Sequence, residues 1–174
     1  DLVEKGEVLI ELNSEIAKQN LISLNDQINQ KQLQIKLKKN EINMTKLLTQ
    51  EEIKGNEINL KLEKELLKRY DTLQKNGAIS EIDYLQKINK VNQIKILLDK
   101  EKYDGKKREI LLSQQLKVLE SEISGLISKK VAANVNLEYQ SIKSPVKGIV
   151  FDLKPTNVGF VAQTSQPIMK IVPI

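Results

Sequence analysis

Leu21, Ile28, Ile35 and Ile42 recur every seven residues, with Leu24 three positions beyond the first. Later in the chain Leu112, Leu116, Leu119, Ile123 and Leu126 alternate steps of four and three. The same register continues through Lys130, Ala133 and Leu137. A sustained period of about 3.5 residues is a coiled-coil seam and implies left-handed supercoiling. The intervening positions are rich in Lys, Glu, Gln and Asn, as an exposed helix surface requires. The pattern predicts two long amphipathic helices, residues 13–75 and 80–140, meeting at Asn76-Gly77 within RYDTLQKNGAIS. Arms this nearly equal fold into an antiparallel hairpin whose tip lies far from its roots. An arm of about 60 residues at about 1.5 Å rise spans roughly 90 Å.

Near the turn the apolar pattern is denser. Leu60, Leu62, Leu66, Leu67, Tyr70 and Leu73 are expected to face Ile82, Leu85, Ile88 and Val91, a stripe wide enough for more than one partner helix. A hairpin this long and polar does not hide all its apolar positions, so side-by-side assembly is expected. Two glycines interrupt the register. Gly55 lies 21 residues before Asn76 and Gly105 lies 29 after it, so the two do not face each other. A helical Gly costs about 1 kcal/mol relative to Ala. Gly55 is read as a break, either between two stacked helices or as a reversal making a three-helix bundle; the stack keeps the arms matched.

The turn carries helix-end chemistry. Lys75 falls in the last turn of the first helix, and Asn76-Gly77 are expected to supply the left-handed conformations that stop it. Ser80-Glu81-Ile82-Asp83 resembles a capping box opening the second helix.

Composition narrows the function. Aromatic residues are 3% of the 174, with no Trp, so the bulk on which compact cores usually rely is missing. All four prolines lie at or beyond position 145, dividing a helical stretch from a non-helical end. There is no Cys and no His, which removes thiolate nucleophiles, imidazole bases, disulfides and the common zinc sites. No enzyme activity, cofactor or metal is expected. The net charge of +5 is interleaved along the helices rather than gathered in a block, and no stacking platform accompanies it, so nucleic acid is not an expected partner. No apolar run approaches the roughly 20 residues of a membrane span. The chain starts at Asp1 with an apolar alternation already under way, and reads as a fragment.

The two ends belong together. Val3 matches Val161, and Leu9-Ile10-Glu11-Leu12 match Ile168-Met169-Lys170-Ile171. Ser144-Pro145-Val146-Lys147-Gly148-Ile149-Val150 resembles the opening of the second half of a biotinyl/lipoyl domain, with Pro145 at an edge and Gly148 allowing a tight turn. Lys170 falls in the closing strand, not on a connecting hairpin, so it does not fit a swinging-arm attachment site. A solvent-facing strand Lys is the plainer reading.

A small lipoyl-like β-sandwich split by a long α-hairpin resembles the membrane fusion, or periplasmic adaptor, family, most closely its haemolysin-secretion type. The likeness assigns 1–12 to the first lipoyl half-motif, 13–140 to the hairpin with its tip about 76–79, and 141–174 to the second half-motif. The resemblance implies a membrane anchor upstream of Asp1, a β-barrel beyond Ile174, and a sandwich that is incomplete or weakly held in this fragment. It implies a periplasmic body anchored to the inner membrane of a Gram-negative-type envelope. The implied role is non-catalytic: several copies, six by family resemblance, bridge an ATP-driven (ABC-type) inner-membrane transporter to a TolC-like outer-membrane channel. Members that dock onto such channels carry Arg-x3-Leu-x6-Ser across the turn, and Arg69, Leu73 and Ser80 stand at that spacing. The resemblance implies that Arg69 offers forked donors to channel carbonyls or carboxylates, Leu73 packs in an intermeshing apolar seam, and Ser80 hydrogen-bonds across the contact or shapes the turn. Each has a plain alternative: Arg69 offsetting the helix dipole, Leu73 closing the internal core, Ser80 only capping. The two roles overlap at Ser80, which can cap the helix and still donate its proton outward. A coiled-coil scaffold with a β cap and no part in transport is the competing function.

Overall fold

The computed structural model describes residues 1–155, 157–163 and 165–174. The elements in order are β1 (Leu2–Val3), β2 (Val8–Glu11), α1 (Glu15–Lys75), α2 (Glu81–Glu138), β3 (Ser141–Lys143), β4 (Gly148–Phe151) and β5 (Lys170–Pro173). The fold is mainly helical, an antiparallel helical hairpin inserted between the two halves of a small lipoyl-like β element. The chain divides into two compact units, Asp1–Ile28 with Gly125–Ile174, and Asn29–Ser124.

In the terminal unit each sheet takes strands from both ends of the chain. β1 pairs antiparallel with β4, with Leu2 opposite Ile149 and Val3 opposite Gly148, and β4 pairs antiparallel with β5. β2 pairs antiparallel with β3, with a bulge between Val8 and Ile10. Ser144 ties the ends: its N–H donates to the Glu7 carbonyl at 2.9 Å, and its carbonyl accepts from Gly6 N–H at 2.8 Å. Gly148 does not make a turn. It opens β4, where a Cβ would stand 2.3 Å from the Val172 carbonyl oxygen, so it lets β5 come close. Lys170 opens β5 and is exposed, with its Nζ 3.2 Å from Asp152. The helical segments of this unit pack Leu21, Leu24 and Ala133, flanked by Leu126 and Leu137. Burying a Leu side chain contributes roughly 1.5–3 kcal/mol.

In the middle unit Leu60, Val91 and Leu98 form the buried centre, with Ile53, Leu67 and Ile94 against it. Cross-helix contacts run in opposite sequence directions, from Lys31–Glu122 through Lys38–Gln115 and Glu57–Lys102 to Asp71–Tyr84 near the turn. The dense stripe expected near the turn does not all enter the seam. Leu62, Leu73, Ile82 and Leu85 are exposed, because a two-helix seam admits only every third or fourth residue.

The break expected at Gly55 is absent. α1 is one helix from Glu15 to Lys75, neither stacked nor reversed, and the space around Gly55 is open. The irregularity sits elsewhere. The inward positions Ile42, Thr45, Thr49, Ile53 and Asn56 step three, four, four, three, and Leu98, Glu101, Gly105, Glu109 and Leu112 do the same. Two consecutive steps of four are a stutter, which locally unwinds the left-handed supercoil towards about 3.67 residues per turn. The two stutters meet. Thr49 and Gly105 each lie 28 residues from Gly77, and a Cβ on Gly105 would sit 2.3 Å from Thr49 Cγ2. Arg108 Nη2 donates to Thr49 Oγ1 at 3.3 Å beside them.

Candidate functional site at the hairpin turn

The turn is built by backbone chemistry first. Gly77 N–H donates to the Gln74 carbonyl at 3.0 Å and Ala78 N–H to the Leu73 carbonyl at 2.8 Å, the paired bonds of a Schellman motif. Gly77 takes the left-handed conformation at φ 70°; Asn76 does not share it, because the motif needs one such residue at the position after the cap. Ser80 then caps α2. Its Oγ accepts from Asp83 N–H at 3.1 Å and donates to Asp83 Oδ2 at 2.6 Å. The hydroxyl proton is therefore engaged by Asp83 and not free to donate outward as the sequence allowed, because a carboxylate three residues on is a stronger acceptor than water.

Below the cap, Asp71 braces the two helices. Its Oδ1 accepts from the Tyr84 hydroxyl at 3.2 Å, and its Oδ2 from Lys75 Nζ at 2.7 Å. The Lys75 ammonium, more than the Tyr84 hydroxyl, holds the Asp71 carboxyl below its ordinary value against the opposing effect of burial. The same pairing raises Lys75.

Arg69 and Leu73 stand one helical turn apart on an outer flank of α1, so both project from the same face. Arg69 is exposed, and among the described residues no carboxylate or carbonyl holds its guanidinium. Leu73 keeps 41% of its surface exposed, too much for the internal core residue of the plain reading. The structure thus brings Arg69 and Leu73 together and gives Ser80 a capping role at the other side of the turn.

Five residues of this region, Glu63, Asp71, Tyr84, Lys87 and Lys90, were not singled out by sequence. Glu63 is 6% exposed on the seam, with Lys87 Nζ at 2.5 Å and Lys90 Nζ at 3.0 Å from its carboxylate. Lys87 also lies over the Tyr70 ring, 5.5 Å from its centroid. Lys87 first, then Lys90, keep the Glu63 carboxyl below its ordinary value despite burial. The signal was present: Glu63 lies three after Leu60 and four before Leu67, an inward position. Asp71 and Lys75 likewise stand at i, i+4 spacing. Among the described residues no group of three or more His, Cys, Asp or Glu could hold a metal ion, and no helix is long and apolar enough to cross a membrane.

No family model matches the sequence, and no curated protein matches it. Solved structures do. The soluble domain of LipC, a membrane fusion protein of a type I secretion system, matches all of this chain over 92% of its own length, at a TM-score of 0.58 and 18% identity. The fold is that of a membrane fusion protein. The periplasmic adaptor protein EmrA matches 99% of the chain at a TM-score of 0.56 and 18% identity. MacA from Actinobacillus actinomycetemcomitans does so at 0.55 and 19%. The chain spans 65% of the length of EmrA and 43% of that of MacA. The adaptor fold accounts for the interleaved sheets closed by both ends and for the long hairpin between them.

Proposed function

We propose that this chain is part of a periplasmic adaptor of a tripartite secretion or efflux system, linking an inner-membrane, ATP-driven transporter to a TolC-like outer-membrane channel. Residues 1–12 and 141–174 are the two lipoyl half-motifs, 13–140 is the hairpin, and six copies assemble side by side around a conduit. The full-length protein is anchored to the inner membrane, and the adaptor has no catalysis of its own. The tip about 76–79 presents the docking surface. Arg69 donates to channel carbonyls or carboxylates, Leu73 packs between channel helices, and Ser80 keeps the first turn of α2 in shape.

One observation carries this reading: an unengaged guanidinium and a half-exposed leucine lie one turn apart beside a turn held by a Schellman motif, a serine cap and an Asp71–Tyr84 brace. A pre-organised surface loses little conformational freedom on docking. The test is Leu73→Ser in the full-length protein. Export is expected to be lost while the helical circular dichroism is unchanged; unaltered export in that variant contradicts docking through Leu73.

A further inference from the structure

A coiled-coil seam of Leu and Ile tolerates neighbouring registers and small rotations, because each apolar knob finds a similar hole one heptad away. A buried carboxylate does not. Glu63 keeps only 8% of its side-chain surface, and a carboxylate so placed is costly unless paired. It is met by Lys87 and by Lys90 from α2. The Lys87 side chain is itself 13% exposed, and its Nζ lies over the ring of Tyr70, seven residues after Glu63 on the same inward row. Arg69 immediately precedes Tyr70 and Leu73 follows it by three, so whatever fixes the inward direction of Glu63 and Tyr70 fixes the outward direction of Arg69 and Leu73. Sliding either helix by one heptad carries Glu63 seven positions from both lysines and strands its charge.

We propose that Glu63, Lys87, Lys90 and the Tyr70 ring form a positioning key. It holds α1 and α2 in one register and rotation, so that Arg69 and Leu73 face a docking partner together. This rests on the docking role proposed above. The key acts through alignment rather than through strength: a buried ion pair replaced by apolar residues of similar size is often no less stable, while a buried polar group at a seam is well attested as setting register.

The test uses the full-length protein with Glu63→Leu and Lys87→Leu combined, carrying spin labels at the exposed positions Thr72 and Gln86. The double variant is expected to melt at the parent temperature or above, to broaden the label-to-label distance distribution, and to recover about three- to tenfold less outer-membrane channel on co-purification, the loss expected when one or two contact side chains are no longer pre-set. The reversed set, Glu63→Lys with Lys87→Glu and Lys90→Glu, is expected to restore the narrow distribution and the channel yield. A double-leucine protein that keeps one narrow distance overturns the key, whatever docking does. A broadened distance with channel recovery unchanged both here and in Leu73→Ser overturns the docking reading instead.

Discussion

The seams of the two units share a period and differ in what they bury. In the terminal unit the buried cluster is apolar, with Leu21, Leu24 and Ala133 closed by Leu126 and Leu137, and Lys130 standing half-buried in the same register. In the middle unit Leu60, Val91 and Leu98 share the seam with a buried glutamate, a glycine pressed on a threonine, and Asn56 donating to Glu101. Apolar side chains supply strength without specifying which neighbour they meet. Polar and very small ones supply little strength and accept few alignments. The middle unit, which includes the turn, is thus the one whose alignment is specified residue by residue.

The largest expected effect tests whether both seams are equally cohesive. Leu24→Ala and Leu98→Ala, which remove the side chains of residues 7% and 4% exposed, are each expected to cost about 2–5 kcal/mol in denaturant unfolding. Amide exchange should rise around the substituted seam first, in the terminal unit for Leu24 and in the middle unit for Leu98. Equal loss of protection along both units in either variant would erase the distinction between them.

The glycines give a comparison of opposite sign. Gly105→Ala must displace Thr49 and is expected to destabilise by about 1–3 kcal/mol, an effect relieved by Thr49→Ser, which removes the obstructing methyl. Gly55→Ala meets open space and is expected to stabilise by about 0.5–1 kcal/mol. Thermal melts of the two variants and the Thr49→Ser combination decide the matter. A stabilising Gly105→Ala would remove the argument for a close helix approach at the paired stutter.

These two positions also show what the sequence could and could not convey. The heptads at Leu21–Ile42 and Leu112–Leu137 were legible because each helix writes its own period. Gly55 read as a break because a helical glycine is weakly unfavourable, a cost that 61 residues of packed helix absorb. Gly105 was legible only as an interruption, because its reason is Thr49 across the seam. Leu62, Ile82 and Leu85 looked like core because leucines and isoleucines cluster there, but the seam selects by phase and not by density. At the turn the cap residue and the stop glycine were readable from local chemistry. Asp71–Tyr84 and Glu63–Lys87 were not, since each joins residues on different helices.

The smallest effect is electrostatic. The Glu63 carboxyl is held below its ordinary value of 4.5, so the unfolded chain takes up that proton first as pH falls. The stability contributed by Glu63 is therefore complete above pH 4.5 and is lost as pH falls through the lower, folded value. Asp71 behaves alike below 3.8, and Lys75, raised above 10.5, contributes below that pH and loses its contribution as pH climbs through its folded value. Melting temperatures of the parent and Glu63→Gln, compared between pH 6 and pH 3, should converge on acidification; a gap independent of pH would mean that the charge of Glu63 has no part in the seam.

The most direct test of the central claim, that the turn region is a docking surface, is contact. A photoreactive residue at Asn76 of the full-length protein, activated in cells, is predicted to form an adduct with the outer-membrane channel. That adduct should disappear in Leu73→Ser and persist in Leu62→Ser, which alters an exposed leucine of α1 farther from the turn. No channel adduct in the parent, or an equal adduct in Leu73→Ser, would contradict the account.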